Sequence, residues 1–214
     1  MVTEPVKPAV ATLVLAHGAG APMDSDFMEQ LSSALSELGI CVVRFEFPYM
    51  QQRRRDGKKR PPDRQPRLLE HLQAMVEQAQ SMELPAPLLV GGKSMGGRMA
   101  SLLADCLQGT EPGRALISGV CCFGYPFFPG GKKRSDRVEH LLRCKTPTLI
   151  VQGTRDPFGK LADIDPLNLS AAVSVHWLEA GDHDFKPTVR SGIAHQQHID
   201  SAARAVLRFV QQIT

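Results

Sequence analysis

Short runs of apolar residues alternate along the chain with longer segments whose apolar residues recur at helical spacing. The runs are mostly continuous, which is typical of strands that are covered on both faces. We predict six such strands, at residues 10–16, 41–47, 88–91, 115–122, 148–152 and 173–178. Strands that alternate with helices build a mainly parallel sheet with helices on both faces. The pattern therefore predicts one α/β domain over residues 1–214.

Three of the intervening or following segments have a clear amphipathic helical pattern. Each keeps its apolar residues on one face, at spacings of three and four positions. The three faces are Phe27, Leu31, Ala34, Leu35 and Leu38; Leu68, Leu69, Leu72, Met75 and Ala79; and Ile199, Ala202, Ala203, Val206 and Val210. A further helix is predicted at residues 95–107. These helices are expected to cover the sheet.

The composition is that of an ordinary globular protein. The chain is 43% hydrophobic and 22% charged, and its net charge of +3 is too small to indicate nucleic-acid binding by itself. The sequence shows no signal peptide and no transmembrane segment, so we expect no membrane partner. No metal-binding spacing occurs among the cysteines, which we interpret as reduced thiols of a cytoplasmic protein: Cys41, Cys106, Cys121, Cys122 and Cys144.

The turn after the third predicted strand carries the clearest chemical signal. It contains Gly92-x-Ser94-x-Gly96, placed between a strand and a helix. In that setting a serine lies on a sharp, strained turn and acts as a nucleophile. Glycine is expected two residues before and after it, because larger side chains would collide there. The alternative is a glycine-rich turn with an incidental serine.

Two further residues follow strands and so lie at the same edge of the sheet, where ligands bind in open parallel sheets. Asp156 follows the fifth strand and could accept the N–H of a histidine, although it could also be a turn aspartate. His183 follows the last strand, where a general base is required. The chain order Ser94, Asp156, His183 is that of α/β-hydrolases.

The turn after the first strand is rich in glycine and alanine, at residues 17–21. Its backbone N–H groups, together with that of Met95, could hold a developing oxyanion. An ordinary tight turn is the alternative. We interpret His17 as a structural residue that braces this turn.

The chain resembles the α/β-hydrolase superfamily over nearly its whole length, through the phrases HGAGAPMDSDFM, FEFPYM, GGKSMGGRMA, VQGTRDPFG and GDHDF. It is similar to a small subfamily that includes proteins like testis-expressed protein 30. It is more distantly similar to dienelactone hydrolases, whose typical nucleophile is cysteine rather than serine. The resemblance implies an α/β-hydrolase fold of about six or seven strands. It also implies Ser94 as nucleophile, Asp156 as acid, His183 as base, and Ala19 and Met95 as oxyanion-hole amides.

Two segments bear on what enters the site. Residues 124–145 are too few for a large cap domain, so we expect an open pocket, with four aromatic residues forming either its apolar wall or part of the core: Phe123, Tyr125, Phe127 and Phe128. Residues 51–67, interpreted as a loop, carry eight basic and two acidic residues. This segment is either a solvated charged loop or a field that attracts an anionic substrate or partner.

These observations predict a serine hydrolase that cleaves a carboxylic ester or thioester of a small molecule through an acyl-enzyme on Ser94. The chemistry requires no metal or organic cofactor, and we expect no nucleic-acid partner. The alternative is a catalytically weak binding or scaffold protein on the same fold. A peptidase is less favoured, because no cap or partner domain is expected to select peptides.

Overall fold

A computed structural model describes residues 1–107, 117–131 and 137–214, and these form a seven-stranded sheet with helices on both faces. The strands are β1 (Val2–Thr3), β2 (Ala11–Ala16), β3 (Ile40–Phe45), β4 (Leu88–Lys93), β5 (Gly119–Phe123), β6 (Thr148–Gly153) and β7 (Val173–Leu178). Their spatial order is β1-β3-β2-β4-β5-β6-β7. All neighbouring pairs are parallel except β1 and β3. The strand order places β4 at the centre of the sheet.

Six α-helices lie within the described ranges. They are α1 (Asp26–Glu37), α2 (Pro48–Asp56), α3 (Gln65–Ser81), α4 (Met95–Leu107), α5 (Leu161–Ile164) and α6 (His195–Ile213). Helices α1 and α6 pack together on one face, and α3 and α4 pack together on the other. Each face buries its own apolar cluster against the sheet. This two-sided burial explains why the strand sequences are continuously apolar.

The predicted strands and the predicted helices are confirmed. The fourth predicted strand, at residues 115–122, corresponds to β5, which begins at Gly119; its residues 115–116 lie outside the described residues. Strand β1 was not predicted, because two residues are too few to carry a pattern. It adds an antiparallel edge strand to the sheet.

The interpretation of residues 51–67 as a loop is wrong for much of that segment. Residues 51–56 belong to α2 and residues 65–67 to α3. Helix α2 begins with Pro48, whose fixed φ suits a first turn, and its last turn carries three arginines that interact favourably with the helix dipole. It ends at Gly57, whose φ of 70° is the left-handed conformation that closes many helices.

No large cap domain covers the described part of the sheet edge. The four aromatic residues proposed either for a pocket wall or for the core are 0–7% exposed and belong to the core: Phe123, Tyr125, Phe127 and Phe128. Among the described residues, no helix combines the length and the hydropathy that a membrane crossing requires.

Candidate active site

Ser94 lies in the tight turn that joins β4 to α4, and its backbone is strained. Its φ is +51°, a value that residues with a side chain rarely adopt. The turn is held from both sides, because Ser94 N donates to Phe123 O at 2.9 Å and Arg98 N donates to Ser94 O at 3.1 Å. Such strain persists only where the surrounding structure enforces it, and it clusters at functional sites.

The flanking glycines make this turn possible, as the sequence predicted. A Cβ atom on Gly92 would lie 2.5 Å from the carbonyl carbon of Gly96. A Cβ atom on Gly96 would lie 2.6 Å from the carbonyl oxygen of Ala16. Both contacts are to backbone, which has little freedom to move away. The motif is therefore a steric requirement of the turn.

Asp156 and His183 are brought together at the ends of β6 and β7. His183 Nδ1 lies 2.8 Å from Asp156 Oδ2, and the carboxylate is fully buried. Asp156 Oδ1 also accepts the N–H of Phe158 at 2.8 Å, and Oδ2 accepts Nε2–H of Gln152 at 2.9 Å. Two N–H donors already point at this carboxylate, and an ionised carboxylate offers only acceptors, so His183 Nδ1 is the nitrogen that carries the hydrogen. The basic Nε2 of His183 is then left for another partner.

Gln152 and Phe158 support this pair and were missed by sequence reasoning. Gln152 joins Asp156 to the backbone of Tyr125, whose N–H donates to Gln152 Oε1 at 2.7 Å. The Phe158 ring packs edge-on against the His183 ring, with centroids 4.6 Å apart. A polar residue ending the apolar run of β6 was the signal for Gln152. Nothing in the local pattern distinguishes Phe158.

Ser94 and His183 line one cavity of about 240 Å³, called here the first cavity. Its wall is completed by Gly18, Ala19, Gly20, Ala21, Ser25, Phe27, Met28, Lys93 and Asp184. Within the described residues, no hydrogen bond joins the side chains of Ser94 and His183. Catalytic hydrogen bonds are often long before substrate binds and tighten in the complex. The structure therefore brings these two residues to one cavity.

Lys93 places a buried ammonium beside the two residues. Its Nζ donates to the backbone oxygen of His183 at 2.8 Å, lies 3.3 Å from Asp184 Oδ1, and stands 5.2 Å above the Phe27 ring. Burial lowers the pKa of Lys93, while Asp184 acts in the opposite direction. Burial disfavours the ionised form of Asp184, but the surrounding positive charges, Lys93 first among them, together lower the pKa of that carboxyl. In the motif Gly92-x-Ser94-x-Gly96, Lys93 occupies the first variable position, so the motif gave no role to this residue.

The turn after β2 is braced by His17, as predicted. His17 is fully buried, its Nε2 accepts the N–H of Phe47 at 3.1 Å, and its Nδ1 lies 2.7 Å from Gly18 O. Burial lowers the pKa of His17, so the ring is held neutral. The Tyr49 hydroxyl, from α2, lies 3.0 Å from Ala19 O. The contacts to Gly18 O and Ala19 O hold the backbone of this turn in place.

The two predicted oxyanion residues lie next to Ser94. Ala19 lines the first cavity and also a second one of about 330 Å³, which Met95 lines as well. Met95 is the first residue of α4, where N–H groups have no acceptor inside the helix. Their assignment as oxyanion donors stays a prediction.

The second cavity also has Ser94 on its wall, together with residues of α3, of α4 and of several loops. Its wall contains Ala19, Pro62, Asp63, Gln65, Leu68, Ser94, Met95, Arg98, Met99, Pro126, Pro129, Arg137 and Phe158. Arg98 follows Ser94 by one helical turn, and its Nη2 donates to Gln65 Oε1 at 3.0 Å. Apolar side chains and arginines therefore share this wall.

Part of the positive charge of residues 51–67 is used inside the protein. Arg54 pairs with the buried Glu46 at 2.5 Å and with Asp24 at 2.8 Å. The two partners raise the pKa of Arg54 above its usual range. Arg60 pairs with Asp56 at 2.6 Å and Arg67 with Asp63 at 3.2 Å, each over one helical turn's spacing. These contacts give three of the basic residues a structural role.

The remaining histidines lie outside the walls of the two cavities that contain Ser94. Each has a partner in its own surroundings: His71 with Glu46, His140 with Ser101, His176 with Ser201, His195 with Asp184, and His198 with Phe185. Burial lowers the pKa of His140 to about 4. Among the described residues, no cluster of three or more His, Cys, Asp or Glu side chains could hold a metal ion.

Comparison with known proteins agrees with this architecture. A family described as an alpha/beta hydrolase domain matches residues 9–211. An alpha-beta serine hydrolase homologue from Coxiella burnetii is 20% identical with a TM-score of 0.71, over 96% of this chain and 90% of that one. The esterase domain of a Rhodothermus marinus protein is 17% identical with a TM-score of 0.66, over 99% and 91%.

A third similar structure is the dienelactone hydrolase from Anabaena variabilis. It is 16% identical with a TM-score of 0.70, over 99% of this chain and 89% of that one. At such low identities these likenesses show the fold.

Proposed function

Because the chain belongs to the alpha/beta hydrolase domain family, we propose that it is a serine hydrolase that cleaves carboxylic esters or thioesters of small molecules. The narrower likeness to proteins similar to testis-expressed protein 30 stays a prediction from the sequence. Similar folds occur in proteins described as an esterase domain and as a dienelactone hydrolase, which supports ester chemistry. Fold alone does not define an activity, so the proposal rests on the site.

One observation carries the proposal. A serine with a φ of +51° shares a cavity with a histidine whose Nδ1 is bound to a fully buried aspartate. The aspartate fixes the tautomer of the histidine and stabilises the imidazolium that forms when it takes a proton. A turn with a purely structural role requires neither a strained serine nor a histidine of this tautomer in the same cavity. Their occurrence together supports a catalytic role.

The proposed reaction proceeds through an acyl-enzyme. His183 Nε2 takes the proton of Ser94 Oγ as that oxygen bonds to the carbonyl carbon of the ester. The negative charge on the former carbonyl oxygen is stabilised by the N–H groups of Met95 and Ala19. The C–O or C–S bond to the leaving group then breaks, and His183 protonates the leaving atom. Water, deprotonated by His183, attacks the acyl-enzyme. The bond to Ser94 Oγ breaks, His183 returns the proton to that oxygen, and the acid is released.

We also place this hydrolase in the cytoplasm. The five cysteines are free thiols, and four of them are buried. Such unpaired cysteines are typical of a reducing compartment.

Labelling with a fluorophosphonate probe tests the proposal directly, because the probe reacts with activated serines. We expect labelling of the wild-type protein that is lost in Ser94→Ala and strongly slowed in His183→Gln. A panel of p-nitrophenyl esters and acyl thioesters of increasing acyl length then measures hydrolysis by the same variants. Circular dichroism and thermal unfolding show whether each variant is folded.

The alternative is a binding or scaffold protein that keeps the fold without the activity. A folded wild-type protein that is neither labelled nor able to hydrolyse any ester in the panel would favour it. Labelling that persists in Ser94→Ala would move the nucleophile elsewhere.

A further inference from the structure

Ser94 lines two cavities, whose described walls share only Ser94 and Ala19. His183 lines the first cavity and is absent from the wall of the second. In the proposed reaction His183 must reach the leaving atom in order to protonate it. The leaving group therefore belongs in the first cavity, and the acyl chain extends from Ser94 into the second.

The apolar part of the second cavity suits the methylenes of an acyl chain. Leu68, Met99, Pro126 and Phe158 lie on its wall. Leu68 and Met99 are only 3% and 1% exposed, so their positions are set by packing in the core. A cavity of about 330 Å³ has room for several methylenes.

The same cavity carries two arginines on its wall. Arg98 lies one turn after Ser94 on α4, so the two residues share a helix face. Its guanidinium is held by Gln65, which is itself a wall residue, and Arg137 lies on the wall as well. Both arginines act on the same buried group, since each lowers the pKa of the nearby Tyr125 against the larger effect of burial.

Among the wall residues that the structure describes there is also one carboxylate, and its interactions are already made. Asp63 Oδ1 accepts from Arg67 at 3.2 Å, and Oδ2 accepts the N–H of Tyr49 at 3.0 Å. Asp63 thus belongs to an ion pair with a residue outside the cavity wall. Counted over the described part of the wall, two arginines stand against one paired carboxylate, so the balance of charge there is positive.

The geometry points to an acyl chain that ends in a carboxylate, that is, to half-esters or half-thioesters of short dicarboxylic acids. This inference rests on the proposed function and names its substrate class. The ester carbonyl lies at Ser94, the methylenes lie along the apolar wall, and the distal carboxylate meets Arg98 and Arg137. In this proposal, selectivity for anions comes from the wall of the second cavity. It does not come from residues 51–67, part of whose charge is paired.

The test compares two substrates that differ only in the distal group: the p-nitrophenyl half-ester of glutaric acid and the p-nitrophenyl ester of hexanoic acid. Hydrogen bonds to charged groups predict a kcat/KM ratio that favours the half-ester by roughly tenfold to a hundredfold. Half-esters of succinic and adipic acid locate the best chain length. The measured quantity is the ratio, so a general loss of activity does not imitate the effect.

In Arg98→Met and Arg137→Met we expect the ratio to fall toward one, and in Arg98→Lys to fall less. The matched control is Arg55→Met, which removes an exposed arginine of α2 outside both cavities and should leave the ratio unchanged. If Arg98→Met does not fold, Arg137→Met and Arg98→Lys carry the test. Added salt should lower the ratio in the wild type.

The outcomes separate the two claims. A wild-type ratio near one, with both esters hydrolysed, overturns the inference and leaves the proposed function standing. A high ratio that neither arginine variant changes also overturns it. If Arg55→Met lowers the ratio as far as Arg98→Met does, selectivity comes from the general field rather than from the cavity. If no ester is hydrolysed and no probe labels the wild type, the proposed function itself fails.

Discussion

Lys93 Nζ donates a hydrogen bond of 2.8 Å to the backbone oxygen of His183, so the residue before the proposed nucleophile holds the loop that carries the proposed base. The two residues are 90 positions apart in sequence. The bond links the end of β4 to the loop after β7, across the strands between them. It fixes His183 at a backbone atom, while Asp156 fixes its ring.

We predict that Lys93→Met lowers the rate of fluorophosphonate labelling by roughly tenfold to a hundredfold, because small displacements of a catalytic group have effects of that size. Thermal stability should change little, since replacing a buried charge by an apolar side chain relieves a desolvation penalty. Asp184→Asn leaves the bond to His183 in place and is the matched control. Equal labelling of Lys93→Met and the wild type would show that this bond does not position the base.

A second prediction concerns the glycines of the turn. Gly96→Ala should destabilise the protein by roughly 1–3 kcal/mol and reduce labelling of Ser94, because the new methyl meets the backbone oxygen of Ala16. Gly20→Ala is the control for stability, since a Cβ there meets nothing within 4 Å. The measurement is the free energy of unfolding in urea. Similar values for the two variants would mean that the turn can relax.

The ion pair between Arg54 and Glu46 gives a third prediction. Arg54→Met leaves the Glu46 carboxylate buried without its main partner, and should lower the free energy of unfolding by roughly 1–3 kcal/mol. The value is modest because the Arg54 side chain is 49% exposed and water screens the pair. Arg55→Met removes a neighbouring charge and should have almost no effect. Equal effects of the two variants would assign the loss to helix α2 as a whole.

The buried ring of His140 should make the free energy of unfolding depend on pH. The folded protein holds the pKa of this buried ring at about 4, against 6.5 for an ordinary histidine. Between those values the unfolded chain binds a proton that the folded protein excludes, so stability falls as the pH falls from 6.5 toward 4. Between pH 7 and pH 5 this residue should account for about 2 kcal/mol of that loss.

Urea unfolding of the wild type and His140→Asn at both pH values measures this contribution. The variant is expected to be less stable at pH 7, because the contact with Ser101 is altered, and to lose less on acidification. Parallel losses in the two proteins would assign the pH dependence to other groups.

The strand and helix pattern was predictable from the sequence because strands that are buried on both faces consist of continuous apolar runs. Helix α2 was missed for the opposite reason: Tyr49 and Met50 are its buried residues, and after Met50 it is entirely polar. Its stability comes from a proline start, a glycine end and contacts made by its side chains. Strand β1 forms only by pairing with β3, and a segment of two residues is too short to show a strand pattern in the sequence.

The sequence placed Ser94, Asp156 and His183 at one sheet edge, and the structure brings Asp156 into contact with His183 and Ser94 to the same cavity. The supporting residues could not be predicted in the same way. Gln152 and Lys93 act through contacts to backbone atoms distant in sequence. Such contacts depend on how the strands are ordered in space, and residue type alone does not specify them.

Ala19 lines both cavities, so a single methyl group stands where the spaces for the acyl chain and the leaving group adjoin. A larger side chain at this position would narrow both spaces at once. Preference for the acid half and preference for the alcohol half of a substrate are therefore coupled at position 19. Independent tuning of the two halves has to come from residues that touch one side alone, such as Met28 on the first and Arg137 on the second.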